Sequence, residues 1–203
     1  MSQQNQTFAN RFLSLGASSK VIPATVLVVL GTALLTVAAK VQVPFYPVPM
    51  TLQSLAVLLI GAAYGWRLAA LTVLAYLGEG LLGLPVFTTT PPLPAGPLYF
   101  MGPTGGFLIG FIASAAISGF AVERGLANRP FALFGAMLLG EVVLFAVGLL
   151  WLSQFAHLAS GSVGLGFAKA WNGAVAPFLL GDLVKTALAA ALTSGLYVAV
   201  RPR

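Results

Sequence analysis

The chain has 203 residues, of which 59% are hydrophobic and only 7% are charged. Since a soluble domain carries about 25% charged residues, this composition excludes a soluble protein and predicts an integral membrane protein built of helices. The net charge of +6 arises from scarce acidic residues, so it does not indicate nucleic-acid binding. We expect a single membrane domain over residues 1–203, in which residues 1–20 form a polar cytoplasmic tail.

Long apolar stretches predict an all-α fold of six transmembrane helices. The second and third stretches are short and are joined only by Gly65, Trp66 and Arg67. Such a pair indicates tilted helices, or helices that stop part-way beside a binding cavity. In chain order the six stretches are Val21–Ala39, Leu52–Tyr64, Leu68–Leu84, Phe107–Val122, Phe131–Leu152 and Pro177–Val200.

Lysine and arginine residues predict the orientation. If the N-terminus is cytoplasmic, seven of the ten basic residues lie on the cytoplasmic side, two lie outside and Lys185 lies within a span. Cytoplasmic loops are enriched in these residues, so we expect both termini inside and a multi-pass protein of the cytoplasmic (inner) membrane. The cytoplasmic residues are Arg11, Lys20, Arg67, Arg124, Arg129, Arg201 and Arg203, and the outer ones are Lys40 and Lys169.

The predicted outer connections are rich in proline. Nine of the thirteen prolines lie between Pro44 and Pro103. Proline restricts the backbone, so rigid outer loops could fold over a site that opens to the outside. The alternative is that proline simply collects in loops.

A small residue recurs at every fourth position around the start of the fourth span. The series is Gly102, Gly106, Gly110, Ser114 and Ser118. Small residues let a second helix backbone approach closely, so we expect this stripe to be a helix-packing surface.

Asp182 and Lys185 are the only charged residues of the last apolar stretch. A spacing of three places both side chains on one face of a helix, within reach of each other. A charge inside a membrane span costs about 2.5–3.5 kcal/mol on insertion scales. The pair is therefore either a structural ion pair or, as we favour, part of a ligand or ion site.

Other polar side chains at membrane depth could share an outward-facing cavity with this pair. Gln53 opens the second span, and Glu79 lies between two glycines near the outer end of the third. Glu141 lies near the middle of the fifth span, where a buried structural carboxyl and a functional one are equally consistent with the sequence. Nearby aromatic residues either line a mixed pocket or form an interfacial belt. They are Phe45, Tyr46, Phe87, Tyr99, Phe107 and Trp171.

The chain lacks the residues that several kinds of chemistry require. The chain has no P-loop motif, a single histidine (His157) and no cysteine. ATP hydrolysis by a P-loop, a zinc centre and a histidine-based triad are therefore not expected, nor is a cofactor. The alternatives to a binding and transport protein are a proton-coupled secondary transporter, with Asp182, Glu79 or Glu141 as the proton site, and an intramembrane enzyme, which would need a nucleophile beside a base.

Four segments in order resemble the BioY family, the biotin-specific substrate-capture (S) components of energy-coupling factor (ECF) transporters. The segments are Val43–Gln53 (VPFYPVPMTLQ), Tyr76–Phe87 (YLGEG followed by GLPVF), Gly102–Phe111 (GPTGGFLIGF) and Pro177–Lys185 (PFLLGDLVK). The resemblance implies a six-helix S-component bundle with an outward-facing biotin pocket. It also implies a membrane coupling protein and two ABC-type ATPases as partners. An S component for another small vitamin would share the fold.

With biotin as the ligand that the resemblance implies, we hypothesise roles for individual residues. Asp182 would accept a hydrogen bond from a ureido N–H of biotin, and Lys185 would orient Asp182 and reach the ureido oxygen or the carboxylate. Gln53 and Glu79 are further polar candidates, and Thr51 belongs to the same motif as Gln53. Aromatic cover would come from Phe45, Tyr46, Phe87 and Trp171, and close backbone approach from Gly102 and Thr104. The first span lacks the Ala-x-x-x-Ala face with which family members often dock to the coupling protein.

Overall fold

Eight α-helices carry the fold in the part of the chain that the structure describes. The structure is a computed structural model, and it describes residue 7 and residues 21–88 and 95–199. Most of the predicted cytoplasmic tail lies outside these residues. The helices are α1 (Val21–Lys40), α2 (Gln53–Tyr64), α3 (Trp66–Leu81), α4 (Pro97–Met101), α5 (Gly105–Glu123), α6 (Pro130–Gln154), α7 (Phe167–Ala174) and α8 (Leu179–Ala199).

Each of the six predicted spans corresponds to one of the longer helices, with ends that differ by a few residues. By length and composition alone, three described helices could cross a membrane, namely α5, α6 and α8. Residues Ala24–Lys40 of α1 and the whole of α2 form shorter apolar helical segments. The short helices α4 and α7 lie in segments that we predicted only as outer connections. A 3₁₀ turn, Leu126–Asn128, connects α5 to α6.

A small hairpin precedes α2. Strand β1 (Gln42–Val43) pairs antiparallel with β2 (Met50–Thr51), so Gln42 lies opposite Thr51. The backbone N–H of Leu52 then donates to the carbonyl of Val41 at 3.1 Å. The hairpin therefore fixes Thr51 at the point where α2 begins.

Helix α5 is central, because it packs against α2, α3 and α6. Glycine and serine make these contacts close. A Cβ atom added to Gly110 would lie 2.9 Å from the Cα atom of Leu144, and one added to Gly140 would lie 3.3 Å from the Cα atom of Ser114. The small-residue stripe thus brings the α5 and α6 backbones together, which confirms its predicted packing role.

The α2–α3 junction packs against the far end of α5. Gly65 has φ of +80°, a conformation that L side chains rarely adopt. The backbone N–H of Trp66 donates to Oε1 of Glu123 at 3.3 Å. A side chain at Gly119 would collide with the backbone at Trp66. These contacts fix the end of the bundle opposite to the one at which α2, α5 and α8 begin.

Candidate ligand-binding site

A cavity opens at the end of the bundle where α2, α5 and α8 begin. Its wall combines polar groups from the first turns of these helices with apolar side chains from α5 and the middle of α6. The lining residues that the structure describes are Val48, Pro49, Thr51, Gln53, Ser54, Thr88, Tyr99, Thr104, Phe107, Leu108, Phe111, Leu144, Phe145, Phe178, Asp182 and Lys185. An apolar wall with a few convergent polar groups is typical of a small-molecule site.

Asp182 and Lys185 form the charged part of the wall. Their side chains meet on one face of α8, with Nζ of Lys185 2.7 Å from Oδ1 of Asp182. Both are largely buried, with side-chain exposures of 8% for Asp182 and 13% for Lys185. Asp182 also lies in the first turn of α8, where the helix dipole favours a negative charge. The ion pair inferred from the spacing is therefore present.

The start of α2 holds this ion pair in place. The hydroxyl of Ser54 donates to Oδ1 of Asp182 at 2.7 Å. Lys185 Nζ donates to the backbone carbonyl of Thr51 at 2.8 Å and lies 3.1 Å from the Ser54 hydroxyl oxygen. The pair thus joins α8 to α2 through charge-assisted hydrogen bonds, and both side chains are preorganised at the cavity wall.

Gln53 sits in a second polar network beside the ion pair. Its Nε2 donates to the hydroxyl of Tyr76 at 2.9 Å, and its Oε1 accepts from the hydroxyl of Thr88 at 3.1 Å. Tyr76 in turn donates to the carbonyl of Val86 at 3.0 Å. The backbone N–H of Gln53 donates to Oγ1 of Thr51 at 3.1 Å. This network holds the segment after α3 against the start of α2 and fixes the amide of Gln53 at the wall.

Thr104 and Phe45 also lie close to the site. Thr104 precedes the first residue of α5 and lines the cavity. Phe45 is 42% exposed, and its ring centroid lies 5.7 Å from that of Phe178, which lines the wall. Tyr46, the next residue, is 77% exposed. Phe45 is thus placed at the rim of the cavity.

Other predicted site residues lie away from the described cavity wall. Phe87 is buried between Tyr99, on which it stacks at 4.6 Å, and the edge of Tyr76. Trp171 is 40% exposed and stacks on Phe167. The carbonyl of Gly102 accepts from the indole N–H of Trp151 at 3.0 Å. Glu79 is half-buried on α3. These four residues are not among the described lining residues.

Sequence reasoning missed several wall residues. Phe178 falls inside a motif that we had singled out and Ser54 directly follows one, but neither carries a signal of its own. Thr88 follows such a motif directly. Leu144 and Phe145 come from the middle of an ordinary apolar helix, and only tertiary packing brings them to the site. Among the described residues, no group of three or more histidine, cysteine or acidic side chains could hold a metal ion.

Fold and site together define a helical membrane protein with a buried ion pair in the wall of a small-molecule cavity. The sequence model of the BioY family matches residues 7–202. The chain therefore belongs to the BioY family.

Curated relatives agree with this assignment. The chain is 36% identical over 163 residues to the "Probable biotin transporter BioY" of Pyrococcus horikoshii, which covers 80% of this chain and 89% of the relative. It is 38% identical over 159 residues to the "Biotin transporter BioY" of Rhizobium etli, covering 75% and 79%. With the "Biotin transporter BioY" of Rhodobacter capsulatus the identity is 42% over 146 residues, covering 69% and 74%.

A solved structure shares the fold. The crystal structure of "the S-component for biotin from an ECF-type ABC transporter" matches with a TM-score of 0.73 and covers 89% of this chain and 94% of that chain. The sequence identity is 23%, so this match concerns the fold. It confirms the predicted S-component bundle.

Proposed function

We propose that this protein captures biotin at the outer face of the cytoplasmic membrane and supports its uptake as the S component of an ECF-type transporter. The observation that carries this proposal is the ion pair of Asp182 and Lys185, anchored by Ser54 and Thr51 in the wall of a largely apolar cavity. Relatives from three organisms, each named as a biotin transporter or a probable one, support the choice of ligand.

Biotin offers groups that complement this wall. Its ureido ring has two N–H donors and one carbonyl, its thioether ring and valeryl chain are apolar, and its carboxylate is negative. Asp182 accepts from a ureido N–H, and Lys185 donates to the ureido oxygen or to the carboxylate. Phe107, Phe111 and Phe178 pack against the apolar parts. Gln53, Thr51 and Thr104 supply further polar contacts.

A nanomolar affinity for biotin is energetically reasonable at such a site. Nanomolar binding requires about −12 kcal/mol. Biotin has about 16 non-hydrogen atoms, so this is about 0.8 kcal/mol per atom, below the ceiling of about 1.5 kcal/mol for very efficient ligands. The preorganised ion pair makes binding more favourable, because the protein loses less side-chain freedom when the ligand binds.

The remaining predicted site residues keep secondary roles in the proposal. Phe45 and Tyr46 lie at or near the rim, where they can cover the ligand. Phe87 supports the wall through Tyr99, which lines the cavity. Glu79, Gly102 and Trp171 would reach the ligand only if the outer segments move, because they lie away from the described wall.

For the whole molecule we propose six transmembrane helices with both termini in the cytoplasm. Helices α2, α5 and α8 all begin at the cavity, so this orientation opens the cavity to the outside, as capture of an external vitamin requires. The short helices α2 and α3, of 12 and 16 residues, would be only partly embedded or matched by local thinning of the bilayer.

Energy for release into the cytoplasm would come from other chains. The sequence has no P-loop motif, so we propose a membrane coupling protein and two ABC-type ATPases as partners. The first helix offers no Ala-x-x-x-Ala docking face. Neither a proton-driven secondary transporter nor an enzyme is favoured, since the fold is that of an ECF S component and the relatives are named transporters.

Uptake of labelled biotin tests the proposed function. A biotin-auxotrophic bacterium without its own biotin transporter would be given this chain alone or together with an ECF coupling module. We expect saturable uptake that unlabelled biotin abolishes and that thiamine or riboflavin at the same concentration does not. Competition by another vitamin but not by biotin would keep the fold and replace the ligand.

A further inference from the structure

Glu141 is a buried carboxyl group that the proposed contacts with biotin do not use. It lies in the middle of α6 and is 2% exposed. The hydroxyl of Ser114 donates to its Oε1 at 2.9 Å. Its Oε2 has no hydrogen-bond partner in the described part of the chain. A native buried polar atom without a partner calls for a physical explanation.

The carboxyl lies below the cavity wall. Leu144 and Phe145, three and four residues farther along α6, line the cavity, and residues at these spacings share a helix face with Glu141. Helix α6 also packs against α8, the helix that carries Asp182 and Lys185. Glu141 therefore lies on a helix that contacts both the cavity and the helix of the ion pair.

Among the described residues, the groups around Glu141 do not provide a second positive charge. Asp182 already neutralises Lys185 at 2.7 Å. On α5 the group in contact is the neutral hydroxyl of Ser114, and Glu123 is nine residues farther along that helix. The 3₁₀ turn carries no charged residue, and Lys169 of α7 is exposed. An ionised Glu141 would add an uncompensated negative charge to the protein interior, which is strongly unfavourable.

A negative charge there would also oppose the ligand. Under the proposed function the ligand carries a carboxylate and also accepts a hydrogen bond from Lys185, which draws Lys185 partly away from Asp182. Ionised Glu141 would compete for the same single cation and repel an anionic ligand. Neutral Glu141 leaves Lys185 free to act on Asp182 and the ligand.

We propose that Glu141 is a positioning residue of the ligand site, whose side chain must hold its proton for biotin to bind beside the Asp182–Lys185 pair. This inference rests on the proposed function for its ligand and on burial, hydrogen bonding and charge for its mechanism. It describes a condition for binding and requires no proton transport.

Biotin affinity measured between about pH 6 and pH 9 tests the proposal, with wild type compared to Glu141→Gln. Gln keeps the shape and stays neutral at every pH. Above the pH at which Glu141 ionises, wild-type affinity should fall by up to about tenfold per pH unit, because binding is then linked to the uptake of one proton. Glu141→Gln should keep its affinity over the same pH range. Both proteins share every other titratable group, so the difference between their profiles isolates Glu141.

Two further comparisons sharpen this experiment. Glu123→Gln removes a carboxyl at the opposite end of the bundle and should keep the wild-type profile. A neutral biotin amide should show a weaker pH dependence than biotin in wild-type protein, because the repulsion between two negative charges is absent. Identical profiles for wild type and Glu141→Gln would overturn the proposal.

Infrared spectroscopy of the ligand-free protein supplies a test that does not depend on biotin. At neutral pH we expect the carbonyl band of a protonated, buried carboxyl, which Glu141→Gln removes. Ser114→Ala should shift this band, which assigns it even if Glu141→Gln does not fold. Absence of the band at neutral pH would overturn the proposal. If wild-type protein binds no biotin at any pH, the proposed function and the link to the ligand fail, while the band still decides whether Glu141 is neutral.

Discussion

The buried carboxylate of Asp182 needs close polar partners to compensate its charge. Its Oδ1 accepts from both Lys185 and Ser54 at 2.7 Å, so its charge is compensated before any ligand arrives. A carboxylate buried in this way is costly unless it is paired and hydrogen-bonded. The same contacts make Asp182 a strong and well-oriented acceptor for a ligand N–H group.

Asp182→Asn keeps the size of the side chain and removes its charge. We expect biotin affinity to fall by about 10- to 100-fold, because a hydrogen bond to a charged group contributes about 1.5–3 kcal/mol. The matched control is Glu123→Gln, which removes a charge far from the cavity. Titration calorimetry on both variants, with thermal unfolding in detergent to check folding, makes the measurement. Wild-type affinity in Asp182→Asn would contradict the assigned role.

Ser54→Ala removes one of the two donors to Asp182 and leaves the ion pair in place. Because Ser54 acts on the ligand only through the orientation of Asp182, we expect only about 0.5–1.5 kcal/mol of binding energy to be lost, a smaller loss of affinity of about 2- to 10-fold. Ser153→Ala serves as the control, because that hydroxyl bonds only to the carbonyl of Leu150 among its described contacts. A loss for Ser54→Ala as large as that for Asp182→Asn would show that Ser54 contacts the ligand directly.

At the scale of elements, the α5–α6 contact positions the cavity wall. Gly110 lies against Leu144, and both Leu144 and its neighbour Phe145 line the cavity. The glycine is therefore required by close packing, and the same packing sets the shape of the site.

Gly110→Ala would place a Cβ atom about 3 Å from the backbone of Leu144. Overpacking of this kind costs about 1–3 kcal/mol, so we expect a lower thermal unfolding temperature and weaker biotin binding. Gly135→Ala is the matched control, because a Cβ atom at Gly135 of α6 meets no atom within 4 Å. That change should leave binding intact and stabilise the helix slightly. Equal unfolding temperatures for the two variants would contradict the packing argument.

The sequence predicted the longer helices well, because long apolar runs leave few alternatives. It also predicted the Asp182–Lys185 contact, since two residues three positions apart on a helix lie on the same face and within reach of each other. It did not predict α7, a short helix whose residues mix apolar and polar side chains. Phe87 shows a further limit. Its place within a motif suggested that Phe87 covers the ligand, whereas packing between Tyr76 and Tyr99 places its ring in the core.

Orientation is the property of the whole molecule that matters most for function, since capture requires a cavity that faces outward. The natural chain has no cysteine, so a single introduced cysteine reports its own location. Ser160 lies in the segment between α6 and α7, and Arg129 lies before α6; both are exposed.

We expect a membrane-impermeant maleimide to label Ser160→Cys in intact cells. Arg129→Cys should be labelled only after the membrane is permeabilised. The wild-type chain gives the background, because it has no thiol. The reverse labelling pattern would place the cavity on the cytoplasmic side and would contradict outward-facing capture.

Titration of biotin into the purified, detergent-solubilised protein tests most directly whether this cavity binds biotin. We predict saturable binding of one biotin per chain, tight enough to be followed by calorimetry at micromolar protein. A well-folded sample that binds no biotin would contradict this prediction and would remove the proposed ligand role of Asp182 and Lys185.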